Sequence, residues 1–359
     1  MKKIVVCFDG TWNKPKRGEK ATNVAGLFRS ILGEDRRGIP EGTPAQAPTV
    51  PTIKWYDYGV GTAWGEKIRG GVFGYGLSFN IREGYKFLVD NYEDGDEIYI
   101  FGFSRGAYTA RRLAGLIRKI GLLKKEHAPR DNPDQNPLIV TGYEIYRERD
   151  KTPDTRAADE FKAAYSRQDI RIKFLGVWDT VGALGLPFGI LENLNESRYA
   201  FHDTGLSGII ENAYHAVAVD EHRKDYATTL WDSPPKNGQH MEQVWFVGAH
   251  ADVGGGSKKL EFSDITMRWM QEKAQLDGQG LEFDPGRIPD PGDIYLRTRI
   301  SDSFKDFLLG VYRLVLKLLG KGRYYRPIKQ LTHGNESVHE TVLKKIERDS
   351  RYNPRNPGM

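Results

Sequence analysis

DEIYIFGFSRGAYTARRLAGLI, residues 96–117, is the stretch around which the rest of the chain arranges itself. It opens with Ile98, Tyr99, Ile100 and Phe101, an apolar and aromatic run that predicts a buried strand. It closes with Ala107, Ala110, Leu113, Ala114 and Ile117, spaced three or four apart as on one face of a helix. Between them stands Gly102-Phe103-Ser104-Arg105-Gly106, a G-x-S-x-G. A strand entering a helix through this pentapeptide is a nucleophile elbow, a turn so tight that a Cβ at Gly102 or Gly106 would strike neighbouring chain. The elbow raises the Ser104 hydroxyl above the sheet and aims the Arg105 amide, at the helix N-terminus, toward any oxyanion formed there. The plainer reading is a glycine-flanked helix start with Ser104 as its N-cap. The strand before and the helix after favour the elbow.

Working outward, KKIVVCFDGTWN, residues 2–13, reads as a central strand ending in an Asp-Gly turn. Its nearly unbroken apolar run, Ile4 to Phe8, suits a parallel strand buried on both faces. In open parallel sheets the site lies beyond the carboxyl ends of the strands, which is where Asp9, Gly10 and Thr11 fall. Gly10 and Thr11 are candidates for the second oxyanion amide, with Asp9 fixing their loop. FDGT is also similar to the D-x-D-G-T of aspartyl phosphatases, but Cys7 occupies the position of the nucleophilic aspartate.

Two further stretches carry chemistry. RIKFLGVWDTVGALG, residues 171–185, predicts a strand with Asp179 at its carboxyl end, where the acid of a hydrolase is expected. QVWFVGAHADVGGG, residues 243–256, predicts a short buried strand with His250 just beyond it and a glycine run that lets the loop turn sharply. The order Ser104, Asp179, His250, with each residue following a strand, is that of the Ser-Asp-His hydrolases. Asp252 is the rival acid, yet two residues from His250 it fits better as a brace of the loop. His215 and His222 read as structural, and His339 as a runner-up with no predicted strand before it.

The remaining segments read as follows. A helix is expected over 22–32, a strand over 52–58, a glycine-rich loop over 59–76 and a helix over 77–92. Residues 154–166 predict another helix, and 212–220 an internal segment. Residues 263–276 predict an amphipathic helix with Ser263 as N-cap, and the tail from 337 a short charged helix. Residues 303–319 predict one strongly apolar helix with a basic end, Lys317 to Arg326. That helix is either core or a lipid-facing surface with Lys317, Lys321, Arg323 and Arg326 near head groups. The expected organisation is a single domain over 1–359, its core at about 1–120 and 168–257, with insertions at about 121–167, 182–208 and 285–330 forming a cap.

Composition narrows the classes. At 359 residues, 39% hydrophobic and 28% charged, the chain is globular with ample length for a core. Its formal net charge of +5 is small and interspersed, which argues against nucleic-acid binding. The one cysteine, Cys7, excludes an internal disulfide and a multi-cysteine zinc site, and its apolar neighbours make it a buried small hydrophobe. The start does not resemble a signal peptide and there is no run of eighteen apolar residues, so a cytoplasmic address is expected, with non-classical export left open.

With FDGTWN, FGFSRGAYTAR, FLGVWDTVG, AVAVDEHR and VWFVGAHADVGGG in place, the chain resembles the α/β-hydrolase domain family that includes the type VI secretion phospholipase effectors. These pieces span about residues 3–257. The resemblance implies an α/β-hydrolase-like fold, a mostly parallel sheet flanked by helices. It also implies a triad at Ser104, Asp179 and His250 and, for effector members, phospholipase activity. The expected reaction is serine-dependent hydrolysis of a small-molecule or lipid ester with an apolar acyl chain, needing neither metal nor cofactor. Two alternatives are a metal-dependent phosphoesterase using Asp9, Asp179, His250 and Asp252, and a non-catalytic binding module on a hydrolase scaffold.

Overall fold

A computed structural model describes residues 1–10, 21–36, 46–59, 70–148, 156–182, 204–257, 259–306, 311–318, 322–329, 331 and 335–359. The apolar runs become parallel strands: β1 (Lys3–Phe8), β2 (Glu34–Asp35), β3 (Thr52–Asp57), β4 (Glu97–Phe103), β7 (Ile172–Trp178), β8 (Ile210–Ala218), β9 (His240–Phe246) and β10 (Glu336–Val338). A separate antiparallel pair is formed by β5 (Leu122–Leu123) and β6 (Ser166–Arg167). Among the described residues the main sheet has eight strands in the order β10-β9-β8-β7-β4-β1-β3-β2, every neighbouring pair parallel. From β1 the chain moves out to β2 and β3, then returns to β1's other side as β4. The crevice between the carboxyl ends of β1 and β4 is therefore a topological switch point, the usual place for a site in an open α/β sheet.

Period-two alternation explains why both sheet faces are covered. Ile4, Val6 and Phe8 of β1 pack with Ile81, Tyr85 and Leu88 of helix α2 (Gly70–Asn91) and with Ala107, Leu113 and Ile117 of α3 (Arg105–Ile120). Val5 and Cys7 point the other way, toward Val24, Leu27 and Phe28 of α1 (Asn23–Ser30). Phe101 and Trp178 share that second cluster with Met267 and Met270. Burial pushes the Cys7 thiol up, so it stays a neutral hydrophobe. The excursion expected to cap the site, residues 121–167, instead thickens the helical layer. Its α4 (Pro137–Arg147) and α5 (Arg156–Tyr165) pack on α2 and α3 through Ile139, Tyr143 and Phe161. Of the second expected cap segment, residues 183–203 lie outside the described residues.

Several boundaries differ from the sequence pattern. The glycines at 70, 71 and 74 begin α2 rather than ending a loop, while residues 60–69 lie outside the described residues. Next come α6 (His250–Gly254) and α7 (Leu260–Ala274). Ser263 is an interior residue of α7 whose hydroxyl donates to Leu260 O, so it does not cap that helix. The apolar stretch at 303–319 gives α8 (Ser303–Asp306) and α9 (Val311–Leu318), with 307–310 outside the described residues. A strand, β10, does precede His339. That histidine is the N-cap of α10 (Glu340–Arg348), stacked on Phe246 at 4.4 Å. Sheet pairing thus extends past residue 257, where the core was expected to end. Among the described residues no helix is long and apolar enough to cross a membrane.

A close backbone approach in this frame joins β1 and the first turn of α3. A Cβ on Gly106 would stand 2.6 Å from the Asp9 carbonyl oxygen and 2.6 Å from the Phe8 carbonyl carbon. Gly106→Ala should cost about 1–3 kcal/mol or prevent folding, because two strand-end carbonyls cannot both retreat. Gly182→Ala, where a new Cβ meets no atom of the described residues within 4 Å, is the matched control. Denaturant unfolding of both variants checks this; equal stabilities would contradict the close approach.

Candidate active site

The site grows from the carboxyl ends of three neighbouring strands. Phe103 pairs with Trp178, and Trp178 with Ala216, so the residues after β4, β7 and β8 emerge side by side. Ser104 follows β4 with φ 58° and ψ −120°, a conformation unusual for a residue with a side chain. Its amide still bonds Trp178 O at 3.0 Å, so the elbow bends only after the last sheet hydrogen bond. Although Ser104 stands at the N-cap position of α3, its side chain makes no capping bond. The hydroxyl instead lies 2.8 Å from His250 Nε2.

Asp179 follows β7, also at positive φ (39°), and is completely buried. Its amide donates to Ala216 O at 2.8 Å, which leaves the carboxylate projecting over the sheet edge. Oδ2 lies 2.5 Å from His250 Nδ1, and Oδ1 accepts from the Ala218 amide at 3.0 Å. Both oxygens are also held by Arg326, Nη1 to Oδ1 at 2.6 Å and Nη2 to Oδ2 at 3.0 Å. Burial alone would raise this carboxyl. The Arg326 charge and the His250 hydrogen bond overcome it and hold Asp179 well below the usual carboxylate range.

His250 opens α6, its ring between Phe103 (4.7 Å) and the edge of Tyr226 (5.1 Å). Three carboxylates brace its loop. Asp252 accepts from the Ala249 amide at 3.1 Å and from the Ser301 amide and hydroxyl at 3.1 and 2.8 Å. Asp252 therefore faces away from the imidazole, as a brace. Glu221 accepts from the His250 amide at 3.3 Å and is bonded by Arg223 through Nε and Nη2, each at 2.8 Å. Burial opposes its ionisation, but Arg223 brings the Glu221 pKa down to about 2. Asp220 accepts from the Gly248 amide at 2.8 Å and from Tyr352 at 3.1 Å. At the far end of the loop, Gly255 (φ 83°) lies so close to the chain that a Cβ would stand 2.5 Å from the Asn23 amide nitrogen.

The other sequence candidates fall into place or away from the site. Asp9 is buried and fixes the turn after β1, accepting from the Gly10 amide at 2.6 Å, from Thr22 Oγ1 at 2.5 Å and from the Tyr56 hydroxyl. The Gly10 N–H is thereby taken by the Asp9 carboxylate and turned away from an oxyanion. Thr11 lies outside the described residues. His215 is buried, accepts from the Thr180 amide at 3.1 Å and is held neutral by burial and by Arg111, its pKa down to about 3. It shapes the Asp179 turn and does not reach Ser104. Arg326, a head-group candidate only in the lipid-facing alternative, is 1% exposed and belongs to Asp179, because the buried carboxylate needs a charged partner. Arg323 bonds Asp302, and Lys321 lies outside the described residues. Among the described residues no group of three His, Cys, Asp or Glu is arranged to hold a metal ion. The carboxylates of the metal reading are instead bonded to N–H and O–H donors.

Residues 2–273 match the catalytic domain of the type VI secretion Tle1-like phospholipase effectors. The chain belongs to this family. An uncharacterized protein of Saccharomyces cerevisiae is 29% identical over 257 residues, 65% of this chain and 33% of that protein. The chain thus spans about a third of that relative's length. A crystal structure of an uncharacterized protein from Pseudomonas aeruginosa overlaps 87% of this chain and 50% of its own, at TM-score 0.44 and 17% identity. The Tle1 effector bound to the VgrG spike of the type 6 secretion system overlaps 70% and 50%, at TM-score 0.38 and 18% identity. Arg326 and Ser301, which hold Asp179 and Asp252, both lie beyond the matched residues.

Asp220 gives this Tle1-like chain a pH signature. Burial raises its pKa from 3.8 to about 6, against the opposing Gly248 hydrogen bond. The folded state thus holds the proton more tightly than the unfolded chain. Its contribution to stability is complete below about pH 4 and lost as pH rises through 6. Asp220→Asn removes this dependence. Between pH 4 and 7 the variant should gain on wild type by on the order of 2–3 kcal/mol. Thermal melts across that range measure it; a constant difference would place Asp220's proton elsewhere.

Proposed function

We propose that this chain is a serine carboxylic ester hydrolase for substrates with an apolar acyl chain, phospholipids being the class its family points to. One observation carries the reading: the unbroken hydrogen-bond relay from Ser104 through His250 to Asp179. A serine whose hydroxyl meets an imidazole, itself oriented by a buried carboxylate, has the parts of an activated nucleophile.

In this reading Ser104 Oγ forms a bond to the ester carbonyl carbon while His250 Nε2 takes its proton. Asp179 fixes the tautomer that presents Nε2 as acceptor and stabilises the imidazolium. The Arg105 amide, at the start of α3, is the oxyanion donor, such donors being worth about 3 kcal/mol each. When the tetrahedral intermediate collapses, the carbonyl re-forms, the carbon–oxygen bond to the alcohol breaks and Nε2 returns the proton to that alcohol. Water then attacks the acyl-enzyme with His250 as base, freeing the acid and Ser104. No cofactor enters these steps.

Ser104→Ala should lower turnover roughly 10³-fold or more without loss of fold. Hydrolysis of p-nitrophenyl acyl esters and of phospholipid vesicles, each with this variant as control, tests the mechanism and the substrate class together. Near-wild-type rates in the variant would remove the serine mechanism. Asp179→Ala and His250→Ala should combine to little more than the worse single loss, since an interrupted relay cannot be interrupted twice. Losses that multiply in the double variant would break the triad assignment.

A further inference from the structure

Arg326 is the buried charge whose place in the chain least suits its place in the fold. It arrives from the segment after α9, beyond residue 273 where the family match ends, and reaches the centre of the site. Its guanidinium is committed on two sides. Nη1 donates to Asp179 Oδ1 at 2.6 Å and to Ala218 O at 2.8 Å, while Nη2 donates to Asp179 Oδ2 at 3.0 Å and to Tyr226 O at 2.5 Å. The planar fork therefore ties the Asp179 carboxylate to the end of β8 and to the loop that places the Tyr226 ring beside His250. The tail clamps the arginine in turn. Asn356 Nδ2 donates to Arg326 O at 3.0 Å and to Val219 O at 3.1 Å, and Ile328 N bonds Pro357 O at 2.7 Å.

We propose that Arg326 is a positioning residue for the triad, one that fixes the Asp179 carboxylate and sets the pH at which His250 can act as base. This rests on the serine-triad reading above. The reason lies in the charges around the imidazole. From β7 comes Asp179. From the turn after β8 come Glu221, bonded to the His250 amide and to Arg223, and the ring of Tyr226. On its own helix Asp252 faces Ala249 and Ser301, and His215, behind Thr180, is neutral. Asp179 and Glu221 each face an arginine, Arg326 and Arg223, and of the two arginines it is Arg326 that bonds the triad carboxylate itself. Removing Arg326 takes one positive charge from beside the Asp179–His250 pair, which makes the imidazolium easier to form. The base would then be lost at a higher pH.

The experiment is the pH dependence of kcat/KM and kcat for a p-nitrophenyl ester, using the full chain with Arg326→Gln, Arg326→Lys and Ser104→Ala, each checked for fold by circular dichroism. Arg326→Gln should move the acidic limb up by about one pH unit or more, the usual effect of losing a neighbouring charge. It should also lower kcat by roughly ten- to a hundred-fold, with KM little changed, because the acid is no longer held square to the imidazole. Arg326→Lys keeps the charge but cannot fork across both oxygens, so its limb should stay in place while kcat falls. A folded Arg326→Gln with the wild-type limb overturns the proposal, even if kcat drops, since a merely structural role does that. Should the glutamine variant not fold, a lysine variant with wild-type kcat, or with a displaced limb, overturns it equally. Activity surviving in Ser104→Ala would instead discard the serine reading, whereas its loss beside silent Arg326 variants would discard the positioning role alone.

Discussion

The constraint on which this structure depends is the contact between the first turn of α3 and the end of β1. Gly106 sits against the Phe8 and Asp9 carbonyls with no room for a Cβ, and Gly102 against the backbone of Gly106 and Ala107. That closeness lets the chain leave β4 and enter α3 with Ser104 alone at the corner, at φ 58°. Because the described strands of the main sheet all run the same way, the residues after β7, β8 and β9 reach the edge where this corner stands. The sheet makes the serine prominent and, by the same geometry, brings Asp179 and His250 to it.

The edge is crowded with charge, and most of it is internal. Asp179, Asp220, Glu221, Asp252, Arg223 and Arg326 are all buried or nearly so. A buried charge without a partner is costly, so each of these carboxylates takes a backbone amide, an arginine or a hydroxyl. The consequence is a loop around His250 fixed from several directions. Asp252 ties it to Ser301, Glu221 ties it to Arg223, and Asp220 ties Gly248 to Tyr352. An imidazole packed against the Phe103 ring within such a frame has little freedom to turn, which is what a proton-relaying group requires.

The fold was largely legible from hydrophobic period, since buried parallel strands read as continuous apolar runs and α3 as a clean stripe. The lapses follow from cues that are purely local. Ser263 carries a capping signature, yet α7 begins three residues earlier because Phe262 is drawn into the core. The glycines at 70, 71 and 74 signal a loop, but they start α2, where packing overrides propensity. Gly10 has the position of an oxyanion donor, but its amide is taken by Asp9, one residue away. The DEHR run held a sign of its own, an acid and an arginine two apart just beyond a strand end, and its Glu221 braces His250.

The sequence alone determined the class of sheet, the elbow, and the three side chains that stand after β4, β7 and β9. Each of these is written in a short window, as an apolar run followed by a polar residue at the carboxyl end. Only the tertiary structure decided which carboxylates face the histidine and which brace it, because Asp179 and Asp252 differ in direction rather than in type. It alone decided the fate of Arg326, which local pattern groups with exposed basic residues and the fold buries against Asp179. A long-range ion pair leaves no periodic trace in a chain. It is fixed by the desolvation of a carboxylate that sits 147 residues away in sequence.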